Sequence, residues 1–267
     1  MRVNRGPQIS SSDLQAFCLF IGYPRSGHSL VGSFLDAHPD IALGHEARAM
    51  KRVAVGGWSQ AQIVSDLVTN AAEQASRKTG RTQSGYFYEV PGQWQGRVRK
   101  LVVCGDKGGG DTSRRLAVDP SELRKFADAI EVPLRLVHVM RNPYDIVARI
   151  ARVTRGGVPK QTLDEAILRF SVLALANGAV LESDAFVVSS VRHEDVVAKP
   201  QAELRRLCEF LGIEPTADYL ESCASIVWEK PHQTRRLVEW SDTQVDRLRM
   251  VIDQHPFLAG YSFDGPS

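Results

Sequence analysis

Four short apolar runs punctuate the chain: Phe17-Cys18-Leu19-Phe20-Ile21, Leu101-Val102-Val103-Cys104, Leu134 to Met140, and Ala185 to Val191. Each is a near-continuous apolar stretch of strand length, the mark of a strand covered on both faces. Between them the apolar positions change to helical spacing, and most of these segments open on a recognisable cap. Ser59 and Gln62 have capping-box spacing ahead of Ile63, Leu67, Ala71 and Ala75. Asp119-Pro120-Ser121-Glu122 sets a cap, a first-turn proline and an acidic residue ahead of Leu123, Phe126, Ala127 and Ile130. Thr162 with Glu165 starts a helix carrying Phe170 and Leu173. Pro200 opens one that holds Leu204, Leu207 and Leu211 and stops at Gly212. Ser241 with Gln244 opens the last, which ends near His255 before Pro256.

Buried strands alternating with amphipathic helices predict an α/β fold, a central, mostly parallel β-sheet flanked by helices. Residues 1–12 are polar and expected to be flexible. No linker divides the rest, so 13–267 is expected to be one domain. In such sheets ligands sit beyond the carboxyl ends of the strands, which directs attention to the loops that follow them.

Composition narrows the partners. Lys and Arg number 33 against 31 Asp and Glu, a formal charge of +2, in a chain of 267 residues that is 43% hydrophobic and 24% charged. That is the balance of an ordinary globular protein, and it argues against a coat for nucleic acid or an anionic membrane. No run has the length of a membrane span or a signal-peptide core. Four scattered cysteines form neither a disulfide framework nor a zinc-ligand spacing. The expectation is a soluble, cytoplasmic protein with no bound metal.

Directly after the first strand comes Gly22-Tyr23-Pro24-Arg25-Ser26-Gly27-His28-Ser29. A helix then begins, with Leu30, Val31, Phe34 and Leu35 on one face and an end near His38 set by Pro39. Strand, glycine-bounded loop and helix N-terminus make a phosphate cradle, because the unpaired N–H groups of the first turn converge and the helix dipole favours an anion. The spacing Gly22-x4-Gly27-x-Ser29 is that of a Walker A loop, but His28 stands where the lysine belongs. A largely neutral imidazole replaces that lysine poorly, whereas Arg25 supplies a fixed charge. The loop is expected to hold an anion other than ATP; a purely structural turn is the plain alternative.

A second cationic position follows the third strand, where Met140 runs into Arg141-Asn142-Pro143-Tyr144-Asp145. Asn142 suits an N-cap, Pro143 the first helical position and Asp145 the first turn. Arg141 is thus held between strand and helix, where its planar fork suits bidentate phosphate binding rather than an ordinary surface salt bridge.

Tyr23-Pro24-Arg25-Ser26-Gly27-His28-Ser29 resembles the 5′-phosphosulfate loop of the sulfotransferases that use 3′-phosphoadenosine 5′-phosphosulfate (PAPS), a family related to the P-loop kinases. That loop commonly reads Y-P-(K/R)-S-G-T-(S/T), so His28 departs from it. Arg141-Asn142-Pro143-x-Asp145 resembles the family's 3′-phosphate motif, whose serine eight residues on is Arg149 here. Val191-Arg192-His193-Glu194-Asp195-Val196 resembles a third segment, with His193 at the position of a tyrosine near the adenine. The resemblance runs from residue 17 to about 261. It implies a P-loop NTPase-like sulfotransferase architecture and PAPS as co-substrate, bound by Arg25, Ser26, Gly27, His28, Ser29, Arg141, Arg149 and His193. It also implies a small-molecule or glycan acceptor.

In-line sulfuryl transfer needs cations around the moving group and a base for the acceptor's proton. Several sulfotransferases use a glutamate shortly after the first helix, which points to Glu46, with His45 as competitor; a solvated helix start is the plain alternative for both. The histidine that other members carry after the second strand is absent from Asp106-Lys107-Gly108-Gly109-Gly110. Lys107 fits the family's lysine there, and the glycines beyond it leave room for a ligand. Tyr86, Phe87, Tyr88 and Trp94 form either an acceptor wall or a lid on the core, and 154–161 has the composition of a flap. Two competing readings remain. One is a P-loop kinase or NTPase with Asp106 as the magnesium carboxylate, and the other is an inactive nucleotide-binding module.

Overall fold

The computed structural model describes residues 13–77, 88–152, 154–155, 158–159, 161–228 and 232–265. Its centre is β1 (Ala16–Gly22), whose seven residues are all buried. β2 (Ile41–Gly44), β3 (Val103–Asp106), β4 (Leu134–Met140) and β7 (Val187–Arg192) complete a five-stranded sheet in the order β2-β3-β1-β4-β7, every pair parallel. β5 (Thr154–Arg155) and β6 (Val158–Pro159) form a separate antiparallel pair. The central strands are covered on both faces, which is why they read as unbroken apolar runs.

Helices cover the two faces. α1 (His28–Asp36), α9 (Pro200–Leu211) and α10 (Ala217–Ser225) pack on one side through Val31, Phe34, Leu204, Leu207 and Tyr219. α2 (Ala49–Gly56), α3 (Gln60–Ser76) and α5 (Ser121–Ala129) build the other around Phe17, Leu67 and Phe126. A third cluster, around Tyr23, Tyr144 and Phe170, joins α6 (Pro143–Ala151), α7 (Leu163–Leu181) and α11 (Asp242–Gln254). α4 (Gly109–Leu116) and the short α8 (His193–Ala198) complete the order.

The capping boxes at Ser59, Thr162 and Ser241 form as the spacing predicts, and Gly212 ends α9 at φ 76°. Differences lie at boundaries. Pro120 occupies the cap position rather than the first helical one, and the carboxylate of Asp119 accepts from Ser121 N. β3 starts two residues after the predicted run and extends to Asp106, and β7 starts at Val187. β2 was hidden, because four residues are too few to show a period and read equally well as a connection. Residues 1–12, Tyr86, Phe87 and, within 154–161, residues 156, 157 and 160 lie outside the described residues.

Because all five strands run the same way, the residues that follow each of them gather at one edge. The turn after β1, His45-Glu46 after β2, Lys107 after β3, Arg141 after β4 and His193 after β7 therefore meet there.

Candidate active site

A cavity of about 660 Å³ opens at this edge, lined among others by Arg25, Gly27, His28, Ser29, Glu46, Lys107, Arg141, Arg149 and His193. That volume lies within the range usual for a pocket enclosing one small ligand, roughly 300–1,000 Å³. Arg114 and Arg169 also line it, which brings six cations around two carboxylates, Glu46 and Asp111.

Gly27 caps α1 at φ 105°, and its carbonyl accepts from Leu30 and Val31. The N–H groups of His28 and Ser29, one turn short of any helical acceptor, are left for a ligand. A side chain at position 27 would meet Nδ1 of His193 at 2.6 Å, so glycine lets the imidazole close over the loop. Ser26 does not face the ligand space: it is buried, and its hydroxyl donates to the Tyr23 carbonyl.

The His28 ring does not take the course of a Walker lysine. Nε2 lies 3.3 Å from the Ile21 carbonyl and 3.5 Å from Ser26 Oγ, and a Cβ at Gly109 would strike it. Burial, reinforced by the Lys107 charge, pushes its pKa down to about 3, so the ring is neutral. His28 therefore contributes its position at the helix start and a half-buried wedge under α4, with no cationic side chain for an anion.

The cation comes instead from β3. The Lys107 side chain is fully buried, runs past Gly32 of α1 and reaches Ser29 Oγ at 3.3 Å and Glu46 Oε1 at 3.4 Å. A Cβ on Gly32 would lie 2.9 Å from its Cδ, so that glycine makes the channel. Glu46 itself is 39% exposed, turned into the cavity, and left-handed at φ 53°, as is Arg48 at 60°. Such strain persists only where neighbours impose it. Here Asp106 does so, because its buried carboxylate accepts from Ala47 N (3.2 Å), Ala49 N (2.8 Å) and Gly108 N (3.1 Å). Its oxygens are committed to backbone, and burial raises its pKa to about 6. A magnesium-holding role for Asp106 finds no support in that arrangement.

His45 sits apart from its neighbour. It is 3% exposed, absent from the cavity wall, and its N–H donates to Asn70 Oδ1 at 2.6 Å. Burial first, and the Lys107 charge second, push its pKa down to about 3, which makes it a weak base.

Arg141 leaves β4 at the opposite wall. Asn142 caps α6 by accepting from Tyr144 N, and Glu194 accepts from Asn142 N at 2.8 Å and from the Tyr261 hydroxyl at 3.0 Å. The guanidinium donates to the His232 carbonyl and stands 4.0 Å from Asp145 Oδ2. Arg141 Nε and His193 Nδ1 are buried without a hydrogen-bond partner among the described residues. Two orphaned polar atoms at one end of a cationic cavity fit a ligand that supplies the missing partners. Arg149 lines the same wall two turns along α6.

Arg235, behind this wall, and Trp228, His232 and Leu237, on it, carried no sequence signal. Asp145 makes a fully buried pair with Arg235, 2.6 Å from Nη1, and also accepts from Arg235 N. Arg235 in turn donates to the carbonyls of Phe263 and Gly265 and ties the 3₁₀ turn Thr234–Leu237 and the 263–265 segment to α6. Trp228, His232 and Leu237 complete that side of the cavity. Of the predicted aromatics, Tyr88 lines the cavity, whereas Trp94 sits at the surface beside Arg97. Among the described residues no helix is long and apolar enough to cross a membrane, and no group of three metal-ligating side chains is assembled.

Sheet order, the glycine-bounded strand-to-helix turn and flanking helices define a P-loop-like α/β protein. Comparison makes this specific. Residues 133–218, from β4 into α10, match the model of the sulfotransferase family, a segment that includes Arg141, Arg149 and His193. The sulfotransferase domain of the Synechococcus PCC 7002 olefin synthase superposes with a TM-score of 0.54 at 12% identity, over 93% of this chain and 98% of that one. The sulfotransferase domain of the curacin biosynthetic pathway gives 0.52 at 13%, over 90% and 97%. Sulfotransferase STF9 from Mycobacterium avium gives 0.56 at 10%, over 94% and 79%. No curated protein sequence matches the chain. The protein thus has the sulfotransferase fold, and residues 133–218 match that family's model.

Proposed function

We propose that the protein is a sulfotransferase that moves a sulfuryl group from PAPS to a hydroxyl, less readily an amine, of a small-molecule or carbohydrate acceptor. The observation that carries this is the shared cavity: the turn at 25–29, Arg141 and the Glu46–Lys107 pair all line one space of about 660 Å³. PAPS, when bound, supplies an activated sulfuryl group on its 5′-phosphate.

The chain's own groups divide the work. The N–H groups at the start of α1, Ser29 and Lys107 hold the 5′ end, and Arg141 with Arg149 holds the 3′-phosphate. Glu46 takes the proton from the acceptor hydroxyl as its oxygen bonds to sulfur. The bond from sulfur to the phosphate oxygen breaks, and the electron pair leaves on that oxygen. Lys107 sits between the base and the loop, 3.4 Å from Glu46 Oε1, where it offsets the developing charge. His193, neutral and closed over Gly27, covers the nucleotide. His45, buried off the cavity, is not assigned the base.

Thermal stabilisation by adenosine 3′,5′-bisphosphate (PAP) and by ATP, each with EDTA or with magnesium, tests the reading. PAP is expected to stabilise the protein in EDTA and ATP to do so weakly. Preference for ATP with magnesium would replace this reading by the kinase one. Transfer of labelled sulfate from PAPS to an acceptor panel separates an enzyme from a binding module.

A further inference from the structure

Two cationic side chains of the cavity have no part in the donor chemistry above. Arg114 lies on α4, which starts directly after Lys107 and Gly108, and Arg169 lies on α7. From Gly109 to Arg114 is five residues, about 7.5 Å of helix, leading away from the Glu46–Lys107 end. A rigid base supports both. Ser113, next to Arg114, donates to Asn177 of α7 at 2.5 Å and accepts from Gly22 N at 2.8 Å. Phe170, next to Arg169, stacks on Tyr23 of the loop at 4.6 Å. α4, α7 and the phosphate turn are thereby locked together.

The local charge is one-sided. Arg114 is paired with Asp111 one turn earlier, and Arg169 donates to Gln161 at 3.2 Å, a neutral partner. Partial burial and then the nearby Arg114 charge both push the Arg169 pKa below its usual value. Glu46 is the other carboxylate of the cavity, and Lys107 already faces it. Both guanidinium groups line the cavity and the Asp111 carboxylate pairs with Arg114 alone, which leaves a cation in excess on that wall.

We infer that Arg114 and Arg169 form an anion subsite for the acceptor, so that the substrate is a hydroxyl compound that also carries a carboxylate, phosphate or sulfate group. This rests on the sulfotransferase reading, since it presumes that Arg141, Arg149 and the 25–29 turn are occupied by the donor. An anion anchored by α4 and α7 leaves the rest of the acceptor to extend towards Glu46 within the cavity that Tyr88 also lines.

The experiment has two arms, run on the full chain and on Arg114→Gln/Arg169→Gln, whose exposed positions are compatible with folding. First, millimolar inorganic sulfate is added to protein saturated with PAP, and the melting temperature is followed. The wild type is expected to gain stability and the double variant to gain none. Second, transfer from PAPS is compared for matched pairs: hydroxy acids against their methyl esters, and sugar phosphates against free sugars. The anionic member is expected to be favoured roughly tenfold or more in kcat/KM, the worth of a charge-assisted hydrogen bond, and the double variant to lose that preference. The hydroxy-acid and sugar-phosphate pairs separate a carboxylate from a phosphate source. Equal sulfate shifts in both proteins, a wild-type preference for neutral members, or a loss of PAP binding in the double variant would each overturn the subsite. Failure of the underlying reading looks different: the wild type itself would not be stabilised by PAP.

Discussion

Arg235→Met removes one half of an ion pair whose two side chains are fully buried. Asp145 loses the bond from Arg235 Nη1 at 2.6 Å, and the carbonyls of Phe263 and Gly265 lose their guanidinium donors. The backbone bond from residue 235 to Asp145 survives the change. An uncompensated buried carboxylate costs about 3–5 kcal/mol. For a chain of this size, each kcal/mol lowers the melting temperature by about 2–4 °C, so a fall of roughly 10 °C is expected. The orphaned carboxylate has one cation left within reach, Arg141, now 4.0 Å away. Drawing that guanidinium out of the cavity weakens PAP binding by roughly tenfold, about one charge-assisted hydrogen bond. In Asp145→Asn/Arg235→Met no charge is stranded, and this double variant is expected to be more stable than Arg235→Met by about 2 kcal/mol or more. Urea unfolding of both single variants and the double, with a PAP titration of each, completes the cycle. Losses that simply add, or an Arg235→Met cost under ~1 kcal/mol, would show that the pair neither stabilises the Thr234–Leu237 turn nor keeps the Arg141 guanidinium in the cavity.

Glu46→Gln is expected to keep PAP-induced stabilisation and lose turnover by about 10²–10⁴-fold, the usual contribution of a positioned base; unchanged turnover would move the base elsewhere. Gly27→Ala sets a Cβ 2.6 Å from His193 Nδ1 at φ 105°, and is expected to cost about 1–3 kcal/mol and abolish PAP stabilisation; thermal unfolding with and without PAP reads both. Stability should also fall on mild acidification. His28, His45, His138 and His193 are each pushed down to about 3 by burial, so between pH 6.5 and 3 the unfolded chain binds more protons and acid favours it. Asp36 and Asp106, raised to about 7 and about 6 by burial, act in the opposite sense. Four groups outweigh two, and the net loss from pH 7 to pH 5 is on the order of 4 kcal/mol. Urea unfolding at the two values checks it, and an equal or greater stability at pH 5 would contradict the balance.

The local grammar of the chain determined much of this. Unbroken apolar runs need cover on both faces, so α/β layering with a parallel sheet was readable, as were the capping boxes and the glycine-bounded turn from β1 into α1, whose signals lie within a few residues of one another. The parallel direction of the strands also made it readable that residues 25–29, Lys107 and Arg141 would share an edge. What only the tertiary structure decided involves partners far apart in sequence. That Glu46 faces the cavity while adjacent His45 is buried depends on a turn held by Asp106, some sixty positions later. That His28 wedges beneath Gly109 instead of replacing the Walker lysine depends on α4. That Asp145 pairs closely with Arg235, ninety residues downstream, and only at 4.0 Å with Arg141 is decided in space, and Arg114 and Arg169 share a wall because α4 and α7 pack side by side. A side chain's direction and charge state are set by whatever surrounds it in space, and a linear pattern does not record those neighbours.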